Sequence, residues 1–119
     1  KSKMYANLAN ELKKNTDIME MTFKKFNLRV LQYSYHPYSD EDADCELIIE
    51  LVTMEGDSMT DNASIKVNLY DEKGEIFLTE SYYIDSENFV GYDTFKISLY
   101  NNSNTLIMAK TARVYMSKN

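Results

Sequence analysis

Ser64-Ile65-Lys66-Val67-Asn68-Leu69-Tyr70-Asp71-Glu72-Lys73-Gly74 is the stretch on which the fold turns. Ile65, Val67 and Leu69 alternate with Lys66 and Asn68. That period of two puts the aliphatic residues on one face of a strand and the polar ones on the other. Asp71 to Gly74 then reads as a tight turn: Asp starts it through its side chain, and Gly supplies the positive φ. A strand followed by such a turn predicts a return strand, which Glu75 to Ile84 provides.

The same period extends in both directions. Upstream, Cys45, Leu47, Ile49 and Leu51 share one face of a strand over Cys45 to Met54, with Glu46 and Glu50 on the other. Downstream, Phe95, Ile97 and Leu99 alternate with Lys96 and Ser98 between Thr94 and Tyr100. A further strand is expected from about residue 21, carrying Met21 and Phe23, then Phe26, Leu28 and Val30. Lys24-Lys25 suggests a bulge or kink within it. Pro37, which cannot donate to a ladder, closes it after Tyr33-Ser34-Tyr35-His36. The last strand is expected over 105–116, with Lys110 at a bulge or with its stem snorkelling outward. The segments 38–44, 56–62, 85–92 and 101–104 read as loops, the first of them acidic. Residues 3–14 form an amphipathic helix on Met4, Leu8 and Leu12, with Tyr5 and Ala9 beside them. Lys13-Lys14 suits its C-terminal end, although a helix continuing through Ile18 and Met19 is an alternative. The expected architecture is mainly β: an antiparallel sandwich or barrel of six to seven strands after a short N-terminal helix. It makes one domain over 1–119, with 1–18 as the helical segment and 19–119 as the sandwich.

The stretch Val67 to Gly74 resembles the signature of the FxLYD domains, bacterial and archaeal immunoglobulin-like β-sandwiches. Val67 stands where the family motif has Phe. Gly91-Tyr92-Asp93-Thr94-Phe95 is similar to the family's later Gly-x-x-x-Phe strand entry, so the resemblance spans about residues 45–100. It implies an immunoglobulin-like sandwich serving as an envelope-associated or secreted accessory domain, with no catalytic residues to carry over.

Scarce residues exclude several chemistries. The chain of 119 residues has one His, one Cys, one Pro, three Gly and no Trp. A lone Cys45 forms no internal disulfide, and His36 alone builds no multi-histidine metal site. Gly56, Gly74 and Gly91 stand too far apart for a dinucleotide fingerprint or a phosphate-binding loop. No apolar run is long enough for a helical membrane span, and Lys1-Ser2-Lys3 leads into no secretory h-region. A catalytic set, a cofactor and a resident metal are therefore not expected.

Charge is unevenly laid out. The net charge is −6. Residues 1–36 carry seven basic and three acidic groups, residues 37–93 two basic and sixteen acidic, and residues 94–119 four basic and none acidic. If the first and last strands lie side by side, the basic termini share one region and the acidic loops lie elsewhere. Such a dipolar molecule orients its encounters with charged partners, an anionic surface included.

Several residues are candidates for sites. Asp40, Asp42 and Asp44 are hard oxygen ligands of the kind calcium takes, but an EF-hand reading fails at Cys45 and Leu51. A calcium site between loops would need Asp57 or Asp61 to converge on them. His36 and Cys45 would pair as base and nucleophile only if the loop folded back. Asn62-Ala63-Ser64 and Asn101-Asn102-Ser103 match the glycosylation sequon in turn positions. Ten tyrosines offer rigid amphipathic contact area. Tyr33, Tyr35 and Tyr38 cluster at the end of one strand, and Tyr82, Tyr83 and Tyr92 flank the 85–92 connection. If they converge, they form a partner-binding face. The expected function is a non-enzymatic binding or structural module with a protein partner and no direct contact to nucleic acid. The extracellular or envelope compartment is favoured over the cytoplasm. The alternative is an intracellular acidic inhibitor that imitates nucleic acid toward a basic protein.

Overall fold

Residues 42–53 and 63–70 carry the two most regular alternations, and they form the centres of two sheets. In the computed structural model, which describes residues 2–118, the first becomes β3 (Asp42–Thr53) and the second β4 (Ala63–Tyr70). Cys45, Leu47, Ile49 and Leu51 of β3, and Ile65, Val67 and Leu69 of β4, are fully buried. They face each other across the core, each large side chain contributing about 1.5–3 kcal/mol of burial. The chain is a two-sheet β-sandwich of 44 × 26 × 22 Å, rich in antiparallel pairs, with a short N-terminal helix.

The remaining elements are α1 (Ser2–Lys14), β1 (Thr16–Ile18), α2 (Glu20–Lys24), β2 (Leu28–Ser39), β5 (Ile76–Ile84), β6 (Tyr92–Leu99), α3 (Thr105–Met108) and β7 (Thr111–Ser117). One sheet has the order β1-β7-β4-β5, the other β2-β3-β6. The β4–β5 hairpin forms as its sequence predicts, with Gly74 at φ +78° and Asp71 Oδ1 accepting from the backbone N–H groups of Lys73 and Glu75.

Several expectations are corrected. Residues 20–24 form the short helix α2 instead of the start of a strand, because Phe23 and Phe26, three apart, both reach the core. Met21, which would share a strand face with Phe23, is 69% exposed. A register shift near the end of β2 falls at Tyr38, and the bulge near its start falls at Leu31 and not at Lys24-Lys25. It moves the inward phase from Leu28 and Val30 to Tyr33 and Tyr35. Pro37 does not end β2, which continues to Ser39. It is tolerated because β2 is an edge strand with a ladder on one side only. Residues 105–108 form one helical turn, α3, before β7 begins. Lys110 is an exposed connector between them rather than a charge at an inward strand position.

The helix α1 buries Ala9 and Leu12, with Tyr5 and Leu8 packed against the core, while Met4 is half exposed. It ends at Lys14, and the chain then forms β1, which pairs in parallel with β7. That pairing brings the N-terminal and C-terminal segments together. The acidic segments do not gather at one pole. Asp40, Glu41, Asp71, Glu72 and Glu75 lie in the turns at one end of the sandwich, and Glu55, Asp57, Asp61, Asp85 and Glu87 lie in the loops at the other. The two-pole layout expected from sequence is therefore replaced by two acidic ends.

Candidate interaction surface

The six tyrosines singled out from sequence separate into three groups. Tyr33 and Tyr35 point inward from β2, where Tyr33 anchors the end of α1 and Tyr35 the start of β1. The Tyr33 hydroxyl donates to the Lys13 carbonyl at 3.0 Å, and the Lys13 ammonium sits 5.6 Å from the centre of its ring. Tyr35 is 5% exposed, and its hydroxyl meets Thr16 Oγ1 at 2.9 Å. Burial raises its pKa well above the ordinary phenol range. Tyr35 therefore offers no contact area, and the expected convergence of all six on one face does not occur.

Tyr38 and Tyr92 do share a face, the outer face of the three-stranded sheet, and Tyr100 joins them. Tyr38 stacks on Tyr100 with ring centres 5.4 Å apart and planes at 17°. Its hydroxyl donates to Ser98 Oγ at 2.9 Å. Burial pushes this hydroxyl up to about 12, against the lowering effect of the Ser98 bond and with help from Tyr100 and Glu46. At the other end of the face, Glu50 links all three strands: Gln32 Nε2 donates to its Oε1 at 2.8 Å, and the Tyr92 hydroxyl donates to its Oε2 at 2.9 Å. Tyr92 is 51% and Tyr100 59% exposed. Between these ends the rows are Ser34, Ile48 and Lys96, then His36, Glu46 and Ser98. Ser34 Oγ lies 2.7 Å from His36 Nε2. Tyr100 escaped the sequence reading because it closes a strand, and its stacking partner lies far away in the chain.

Tyr82 and Tyr83 belong to a third place, the seam where the free edges of β5 and β6 approach each other. Tyr82 lies against Phe95 with ring centres 5.4 Å apart, and Phe89 stacks on Phe95 at 6.3 Å.

The acidic run after β2 has a structural use. Residues 40–41 form a tight turn, not a loop, and Asp44 is only 6% exposed. Its carboxylate accepts from the backbone N–H of Asn101 at 2.9 Å, Ser103 at 3.0 Å and Thr105 at 3.3 Å, and from the Thr105 hydroxyl at 2.7 Å. Burial alone would raise its pKa, but these bonds outweigh burial and hold the carboxyl below its usual value. Asp57 and Asp61 lie beyond the far end of the twelve-residue β3, so they do not converge on Asp40, Asp42 and Asp44. His36 and Cys45 face opposite sides of their sheet. The Cys45 thiol is fully buried and raised to about 12, first by burial and then by Asp44, Glu46 and Asp42. Arg113 is paired with Asp17 and Lys118 with Asp61, while Lys3, Lys13 and Lys14 are exposed on α1. Lys1 lies outside the described residues.

No family model and no curated protein matches the chain. Two solved structures are similar to it at low identity. The Campylobacter jejuni protein cj0090 has 12% identity and a TM-score of 0.43, over 88% of this chain and 98% of that one. The uncharacterised lipoprotein yajI of Escherichia coli has 14% identity and a TM-score of 0.42, over 76% of this chain and 55% of that one.

Proposed function

We propose that this chain is a non-enzymatic protein-interaction module that presents the outer face of its three-stranded sheet to a protein partner. One observation carries the reading: Tyr38, Tyr92 and Tyr100 stand on that face already held, by stacking and by bonds to Ser98 and Glu50. Rigid amphipathic rings lose little conformational entropy on binding, and such residues dominate interface energetics. The FxLYD resemblance supports the further reading of an envelope-associated or secreted accessory domain, since Val67 to Gly74 forms an inward-facing strand and turn of the kind that motif describes. The acidic-mimic alternative is the weaker proposal: the loop carboxylates sit at two separate ends, and Glu46 and Glu50 on the sheet face between them are interspersed with His36 and Lys96.

The test compares the wild type with Tyr92→Ser/Tyr100→Ser in affinity capture from the source cells, followed by titration of the captured partner. Both residues are exposed, so an unchanged thermal melt serves as the folding control. Truncating an interface anchor costs about 2 kcal/mol, so the double variant should bind at least roughly thirtyfold more weakly. A partner held equally well by both proteins sinks this face.

A further inference from the structure

The seam between the free edges of β5 and β6 holds a cleft of about 180 Å³. Tyr82, Phe89 and Phe95 supply its aromatic wall, Tyr83 borders it, and Asp85 and Asp93 supply carboxylates. Tyr82 is 39% exposed, so its ring is open to an incoming group, while Phe89 and Phe95 are almost fully buried and form the floor. Asp93 occupies a core-facing phase of β6: its cross-strand partner is Leu51, which is fully buried, and the next residue on the same face is Phe95. A carboxylate is thus turned toward an aromatic recess at the top of the seam.

Neither Asp85 nor Asp93 has a basic side chain within ion-pair distance among the described residues. Among the described residues each carboxylate accepts from a nearby backbone N–H, Asp85 from Glu87 and Asp93 from Thr94. Asp57 lies close by, its Cβ within 3.4 Å of where a side chain on Gly91 would begin. The local field is therefore negative.

We propose that this cleft receives one basic side chain, Lys or Arg, from a protein partner. A cation over aromatic faces gains from the ring quadrupole, and the carboxylates add charge attraction. Size selects the kind of occupant. Pockets for drug-sized ligands run to roughly 300–1,000 Å³. The cleft here is smaller and suits the aliphatic stem and charged head of a single residue. The inference stands on its own residues and does not depend on the outer sheet face, so it survives if that face proves inert.

The experiment is an NMR titration of the isotope-labelled protein with the capped peptide Ala-Ala-Lys-Ala, its Arg counterpart, its norleucine counterpart, and butylammonium chloride. The Lys or Arg peptide should move the amide signals of residues 82–95 in a saturable way and more weakly at higher salt. The Asp93→Asn variant, which keeps side-chain volume at an exposed site, should weaken that binding by about fivefold while leaving the thermal melt in place. Signals that do not move with either basic peptide overturn the proposal. So do equal shifts with the norleucine peptide, which would mark the cleft as merely apolar. Butylammonium binding as tightly as the peptides overturns the protein-partner assignment in favour of a free amine.

Discussion

Asp44 follows an acidic turn, and along the chain it reads as one more solvated carboxylate. In the fold it fills a concavity made by the backbone of residues 101–105, where Asn102 and Ser103 take positive φ values of 50° and 64°. Successive N–H groups in such a bend converge on an anion, here supplied by the protein's own side chain. Removing it leaves the buried Thr105 N–H and the partly buried Asn101 N–H without their acceptor. Asp44→Ala should therefore cost about 2–4 kcal/mol of unfolding free energy, read by urea titration. A loss below that of an ordinary surface change would contradict the role. The pH dependence follows from the lowered folded pKa. A group more acidic in the folded state contributes stability that is fully present above its unfolded value, near 4, and is lost as pH falls through the folded value. The wild type should lose stability on acidification, and the gap between it and Asp44→Asn should narrow. None of this was legible in the sequence, because Asn101 lies 57 residues away. Cys45 is the opposite case: its inward phase in an alternating strand already announced a buried, unreactive thiol, and it is fully buried.

Elements were legible where their cause is local. The alternations in β3, β4 and β6, the Asp71 to Gly74 turn and the amphipathic face of α1 depend on residues a few positions apart. The misreadings fall where a short apolar pattern fits two periods. Phe23 and Phe26 fit a kinked strand or a single helical turn, and tertiary packing selected the turn. The outcome at 105–108 is similar, with Thr105 held by Asp44 at the first helical position. Asn27, at φ +64°, secures the chain between α2 and β2: its side-chain amide donates to the carbonyls of Glu55 and Ser58, and its Oδ1 accepts from the Glu55 N–H. Packing also makes α1 part of the sandwich, since it contacts β2 of one sheet and β7 of the other. Leu12, 2% exposed, is the side chain to test. Leu12→Ala should lower stability by about 2–4 kcal/mol in equilibrium unfolding. A change under about 1 kcal/mol would mean that the sandwich stands without its helix.

Across the whole molecule, charge and shape combine. The acidic groups crowd both ends, while the exposed Lys3, Lys13 and Lys14 lie along α1 at the side. Each end repels itself, and salt relieves such repulsion between exposed like charges. Raising sodium chloride from about 20 mM to about 200 mM should therefore raise the melting temperature by a few degrees. A fall would show instead that the exposed pairs, Arg113 with Asp17 and Lys118 with Asp61, outweigh the crowding. The same layout leaves the outer face of the three-stranded sheet with mixed charge and held tyrosines, and places at the β5–β6 seam two carboxylates, Asp85 and Asp93, that have no ion-pair partner among the described residues.

By itself, the sequence determined that the chain is a mainly β sandwich with an N-terminal helix, and which residues of its central strands face inward. Periodicity and turn chemistry act between near neighbours, so they are written in order along the chain. Only the tertiary structure decided that β1 runs parallel to β7, that Asp44 anchors the 101–105 bend, and that Tyr35 is buried while Tyr100 joins Tyr38. Each of these depends on partners many residues apart, and their meeting is set by how two sheets pack over one core.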